Sequence, residues 1–233
     1  MISQILQSKS SSKADTMGGS ARERQWVAVL GGSKRYTNEQ ILAAYRVGCE
    51  LGQLGKNLVT GATTGIPYAA ALGGRENGAL VLGISPASSS TEHVLRCEKP
   101  LDAVDVVVYS GLNVEGRGPL ILRSAAAAIF IGGELGTLQE FTAAYMCGKK
   151  VLGVLEDMGG ISAHLRTLLA AVENHWGNKV LFDSDPVELA RRVCREVDLR
   201  PDDPSVEQRS EDIGRDVRQV IEAFISQQRQ PNG

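Results

Sequence analysis

The chain has 233 residues, 42% of them hydrophobic and 22% charged, with a formal net charge of −2. That length holds one three-layer domain with a sizeable core and is short for two. The near-neutral balance leaves no electrostatic footprint for a nucleic-acid polymer or an anionic membrane. No apolar run reaches the roughly 18 residues of a membrane span, and the first residues lack a hydrophobic signal core. A cytoplasmic location, away from membranes, is the expectation. Cys49, Cys97, Cys147 and Cys194 are widely spaced and read as small apolar side chains in a reducing compartment rather than as disulfides or metal ligands. His93, His164 and His175 lack metal-ligand spacing, so neither a metal nor a cofactor is expected.

In chain order, residues 1–24 are rich in Ser, Lys and Gly and too poor in apolar side chains to offset ordering entropy, which predicts a disordered arm. Trp26 to Ser33 is a compact apolar run ending in glycines, read as the first strand. A helix follows, with Asn38 as its cap and Ile41, Leu42, Tyr45, Val47, Leu51 and Leu54 at mostly helical spacing. The turn GGSKRYT between them lacks G-x-G-x-x-G spacing, so NAD is not expected. The unit then repeats, with a strand over Asn57–Gly61, a helix over Gly65–Asn77 and a strand over Ala79–Ile84. The polar loop from Pro86 to Pro100 carries no internal order and is long enough to fold over a ligand. Val104 to Ser110 is a further β-branched strand, which places Arg117 in a loop at a strand's carboxyl end.

Pro119 suits a first helical position, with Leu120 to Ala127 continuing as helix. The run AAAIFI reads as a strand buried on both faces. It ends in GGELGT, where Gly132, Gly133 and Gly136 permit positive φ and Thr137 suits the N-cap of the next helix. Free amides and the positive end of a helix dipole make such a turn a candidate phosphate site. After Glu140 come a strand in KVLGVLE, a helix in ISAHLRTLLAAVEN, a strand in KVLFDS, and a helix with Asp185 as cap and Pro186 first. From Leu199 the composition is linker-like. Ile213, Val217, Val220, Ile221, Phe224 and Ile225 then define one apolar stripe on a terminal amphipathic helix, which packs on its own domain or on another subunit.

Arg117, Arg123, a hydrophobic strand, GGELGT and Glu140 together resemble the LOG (lonely guy) family of the wider SLOG group. Older members of that group were labelled lysine decarboxylase-like, and it includes molybdenum-cofactor carrier proteins. The resemblance spans about residues 26 to 197, within a domain read as 25–197, with 198–233 as a charged linker and terminal helix. It implies a Rossmann-like three-layer α/β/α sandwich with a mainly parallel sheet. It also implies homodimers or larger homo-oligomers, and an Arg and a Glu that hydrolyse the N-glycosidic bond of a nucleoside 5′-monophosphate such as AMP. The matching catalytic positions are Arg117 and Glu140, with Arg123 as the second arginine. The matching ligand positions are Gly32 and Ser33 in the first loop, Gly61, Thr64 and Gly65 in the second, and Gly132, Gly133, Gly136 and Thr137 in the third. Plant-type members read PGGxGT where this chain has Gly132, Gly133, Glu134, Leu135, Gly136 and Thr137, which puts a carboxylate beside the expected phosphate. Two function classes follow: a phosphoribohydrolase releasing free base and ribose 5-phosphate, or a nucleotide or molybdenum-cofactor binding or carrier protein. Decarboxylation would need a Schiff-base lysine and a pyridoxal-phosphate site, and neither pattern is present.

Overall fold

The apolar runs become seven strands: β1 (Trp26–Gly31), β2 (Asn57–Thr60), β3 (Val81–Ser85), β4 (Val106–Tyr109), β5 (Ala127–Ile131), β6 (Val151–Leu155) and β7 (Lys179–Asp183). All pair in parallel, in the order β4-β3-β2-β1-β5-β6-β7. The computed structural model describes residues 25–173, 176–199 and 204–228; the arm expected over residues 1–24 and His175 lie outside them. Helices connect the strands: α1 (Asn38–Gln53), α2 (Ile66–Glu76), α3 (Asn113–Arg123), α4 (Leu135–Cys147), α5 (Leu165–Ala170) and α6 (Pro186–Asp198), followed by α7 (Pro204–Gln228).

Successive strand residues face opposite sides of the sheet, and the two halves of the core sort accordingly. Val27, Val29, Ile129 and Ile131 pack with Val47 and Leu51 of α1, Ile66 and Ala70 of α2, and Leu189 and Val193 of α6. Ala28, Leu30, Ala128 and Phe130 pack on the other side with Ile121 and Leu122 of α3, Phe141 and Tyr145 of α4, and Leu165 of α5. Because both faces are covered, β1 and β5 are apolar throughout rather than alternating. The result is a Rossmann-like α/β/α sandwich. The chain builds outward from β1 to β4 and then returns to lay β5 beside β1, so α1 and α4 leave neighbouring strands toward opposite faces. That divergence opens a crevice at the carboxyl edge, where open α/β sheets bind ligands.

Several boundaries differ from the sequence reading, each for a local reason. Thr37, not Asn38, caps α1: its hydroxyl accepts from the Gln40 amide at 3.2 Å, and the Gln40 side chain accepts from the Thr37 amide at 3.0 Å, closing a capping box. The helix around Arg117 starts at Asn113, so Arg117 is helical and Pro119 lies inside α3, where its ring removes the intrahelical partner of the Glu115 carbonyl. Helix α4 begins at Leu135 with Glu134 as N-cap, which puts Thr137 inside the first turn. The Pro86–Pro100 loop holds a π-helical turn over Glu92–Arg96. Residues 161–170 divide into a 3-10 turn, Ile161–His164, and the short α5. Helix α7 already begins at Pro204, within the stretch read as linker. Asp185 and Pro186 start α6 as expected, the Asp185 carboxylate accepting from Val187 and Glu188 at 2.8 Å. The cysteines are free, but only Cys194 is buried; Cys147 is exposed.

Candidate functional site

Four segments meet in the crevice: the β1–α1 loop, the β2–α2 loop, α3, and the β5–α4 turn with the first half of α4. They enclose a cavity of about 250 Å3. Its lining includes Gly32, Ser33, Gly61, Arg117, Gly136, Thr137 and Glu140, seven of the twelve positions singled out from the sequence.

Arg117 is 7% exposed although it carries a permanent charge. One turn and a half into α3, it faces the sheet rather than solvent, and its Nη1 donates to the Gly61 carbonyl at the end of β2. Gly61 makes this approach possible, since a Cβ there would stand 2.7 Å from the Arg117 Cζ. Its Nε is the only buried side-chain nitrogen or oxygen without a hydrogen-bond partner among the described residues. A buried donor left unpaired costs about 1–3 kcal/mol, and more when charged, so the site is complete only with an acceptor from outside. Burial lowers the Arg117 pKa, and the charge of Glu140 opposes that fall.

Glu140 projects from the second turn of α4 into the same cavity, near Gly118 of α3. Burial raises its carboxyl from 4.5 to about 7, with Arg117 pulling the other way. Desolvation wins over one nearby cation, and the group is therefore poised to give or take a proton near neutral pH.

The β5–α4 turn is a built structure. Gly132 and Gly133 have φ of +55° and +80°. A Cβ on Gly132 would stand 2.6 Å from the Gln40 Nε2, and one on Gly133 would run into the Thr137 side chain. The Gly132 amide donates to the Ser162 hydroxyl at 2.9 Å, and the Gly133 carbonyl accepts from the Ile161 amide at 2.9 Å. These two glycines shape the turn without lining the cavity. The amides of Leu135, Gly136 and Thr137, in the first turn of α4, lack intrahelical partners by construction. A Cβ on Gly136 would meet nothing within 4 Å, leaving that end open. Glu134 lines the rim of the cavity, its side chain 61% exposed, and pairs there with Arg35 at 3.2 Å.

Three further expected positions stand back from the cavity. The Thr64 hydroxyl donates to the Ser33 carbonyl at 2.7 Å, and Gly65, at φ +73°, lets the second loop touch the first; a Cβ there would come within 2.9 Å of the Ser33 Cα. Both hold Ser33 in place. Arg123 ends α3 exposed and outside the cavity lining. Six positions along a helix turn the side chain by about 240°, so two arginines at that spacing cannot share one face. The sequence reading passed over Lys34, Arg35, Thr63, Glu115 and Gln139, which also line the cavity. Lys34 and Arg35 had one available signal, their place directly after the first glycine turn.

Fold and site together define a doubly wound α/β protein with a small cavity at its topological switch point. Residues 24–189 match the model of the SLOG cluster4 family, and the chain belongs to that family. A curated relative, an uncharacterized protein of Archaeoglobus fulgidus, is 30% identical over 125 residues, covering 54% of this chain and 76% of the relative. Among solved structures, TM1055, a structural-genomics target, is similar with a TM-score of 0.65 and 25% identity, covering 74% of this chain and 99% of that one. The molybdenum cofactor binding protein from the phototrophic bacterium Rippkaea orientalis is similar with a TM-score of 0.61 and 26% identity, over 75% of this chain and 97% of that one. Among the described residues no helix is long and apolar enough to cross a membrane.

Proposed function

We propose that the protein hydrolyses the N-glycosidic bond of a nucleoside 5′-monophosphate, with Arg117 and Glu140 as the catalytic pair. The observation that carries this reading is the pairing of a buried, incompletely bonded guanidinium with a carboxyl raised to about 7 in one cavity. A carboxyl in that range can do both halves of a proton transfer at neutral pH. In the step, a water oxygen bonds to the anomeric carbon and the C–N bond breaks, its electron pair leaving with the base. Glu140 accepts the water proton and passes it to the departing ring nitrogen, so the carboxylate is regenerated and the step closes without a second acid. As a carboxylate it also stabilises the oxocarbenium-like ribosyl centre, and Arg117 polarises the leaving group through its unpaired Nε. The 5′-phosphate takes the amides of Gly136 and Thr137 at the head of α4, opposite the Gly32–Ser33 loop.

The test is incubation of the purified chain with AMP and with an N6-substituted AMP, followed by chromatography for free base. Release of base and ribose 5-phosphate in equal amounts supports the reading, and intact nucleotide after prolonged incubation with saturating protein removes it. A second reading, a nucleotide or molybdenum-cofactor carrier that binds without turnover, is favoured by Glu134 at the N-cap of α4 and by the likeness to the Rippkaea orientalis protein. Mass spectrometry of the small molecule that co-purifies separates the two: a pterin supports the carrier.

A further inference from the structure

The β1–α1 side of the crevice carries charge that the reaction does not use. Lys34 lines the cavity from the β1–α1 loop. Lys99 approaches the same region from the loop after β3, half-buried, its Nζ 3.4 Å from the Thr64 hydroxyl that in turn donates to the Ser33 carbonyl. Neither lysine closes an ion pair among the described residues, whereas Arg35 is satisfied by Glu134. Burial together with the charges of Lys34 and Arg117 lowers the Lys99 pKa; Glu98 acts in the opposite sense and weighs less.

Lys99 is held there by a constructed segment. The π-helical turn over Glu92–Arg96 is capped by Cys97 and followed by Glu98 at φ +52°, a conformation most side chains avoid. The Lys99 amide then donates to the His93 carbonyl at 3.1 Å. His93 is fully buried, its Nδ1 2.8 Å from the Ser85 hydroxyl at the end of β3. Two ammonium groups that close no ion pair among the described residues, one of them half-buried, thus flank Ser33, and an anion bound there would be stabilised by both.

We infer that Lys34 and Lys99 form a second anion subsite beside Ser33, on the β1–α1 side of the crevice, which takes a second phosphoryl group of the ligand. The inference rests on the nucleotide reading above and narrows it: the preferred ligand is a nucleotide with two phosphoryl groups rather than one. The second group comes from the 5′ chain, as in ADP, or from the ribose, as in adenosine 3′,5′-bisphosphate.

Calorimetry on the full chain carrying Glu140→Gln, which holds nucleotides unturned, compares AMP with these two ligands. One of them binds at least about tenfold more tightly than AMP, as expected for an added charge-assisted contact, and its identity locates the second phosphate. Adding Lys99→Gln, or independently Lys34→Gln, abolishes that gain and leaves AMP affinity in place, while Lys99→Arg retains it. Equal affinities for all three ligands overturn the inference, as does a Lys99→Gln loss that is as large for AMP. Failure of AMP itself to bind sinks the nucleotide reading, whereas AMP binding without any gain sinks only the second subsite.

Discussion

Glu140 and Gly61 are where a single atom group decides the outcome. The Glu140 carboxyl is raised in the folded chain from 4.5 to about 7, so the protonated form is the one the fold favours. Its contribution to stability is fully present below about pH 4.5 and is lost as pH rises through about 7. Glu140→Gln should therefore be more stable than the wild type at pH 8, by at most about 3.5 kcal/mol from a conversion of about 1.4 kcal/mol per pKa unit, and the gap should close toward pH 4. An equal melting temperature at pH 8 and pH 4.5 would show that burial does not penalise this charge. Catalysis runs the other way. For the proposed hydrolysis the unliganded chain must present the carboxylate, so kcat/KM for AMP should climb to a plateau above about pH 7, and a flat profile between pH 5.5 and 8.5 removes Glu140 as the proton acceptor. Gly61→Ala places a methyl group 2.7 Å from the Arg117 Cζ, so the guanidinium must give way. Turnover should fall tenfold or more with a stability loss of about 1–3 kcal/mol. Retained turnover would mean that Arg117 need not sit where it does.

Among the elements, the β5–α4 turn and the last helix make separate predictions. Ser162, 1% exposed, accepts from the Gly132 amide and donates to the Gly159 carbonyl at 3.3 Å. Ser162→Ala leaves a buried amide unpaired, at a cost of about 1–3 kcal/mol, and should loosen the turn enough to weaken AMP binding several-fold. A variant with unchanged affinity would show that the turn holds its shape without that bond. In α7 the whole stripe is exposed, from Ile225 at 43% to Ile213 at 72%. Its spacing is that of a helix seam, and we propose that it covers a second copy of the chain. Removing residues 204–233 should then halve the mass seen by light scattering at micromolar concentration while leaving the melting of the α/β core nearly unchanged. A full-length chain that is monomeric under the same conditions contradicts the pairing. The seam was legible because helical periodicity is a property of sequence alone. Its partner was not, because a helix with one apolar face specifies a cover without naming it.

For the molecule as a whole, what was legible follows from which physics is local. Strand runs, the glycine turns and the Asp185–Pro186 start are set by neighbouring residues, and they stand where the pattern puts them. Helix α3 does not: a proline at its seventh residue reads as a start signal, whereas the helix begins at Asn113 and buries Arg117 and Gly118 on the turn before that proline. That shift decides the site, since it turns Arg117 from a loop residue into a buried one and sends Arg123 to another face. Lys99 was silent for a related reason. Its approach depends on the π-helical turn and the buried His93, neither of which leaves a periodic trace. The convergence of the loops after β1, β2 and β5 needed only the order of elements, and the sheet order supplies it. The function proposed for that crevice is cleavage of a glycosidic bond by Arg117 and Glu140. It is tested most directly by measuring AMP affinity and base release side by side for the wild type and for Glu140→Gln. Nearly equal affinity is expected, with release reduced a hundredfold or more, because the charge is needed chiefly in the transition state. Equal release by both proteins, or tight binding by the wild type with no base formed, would contradict it.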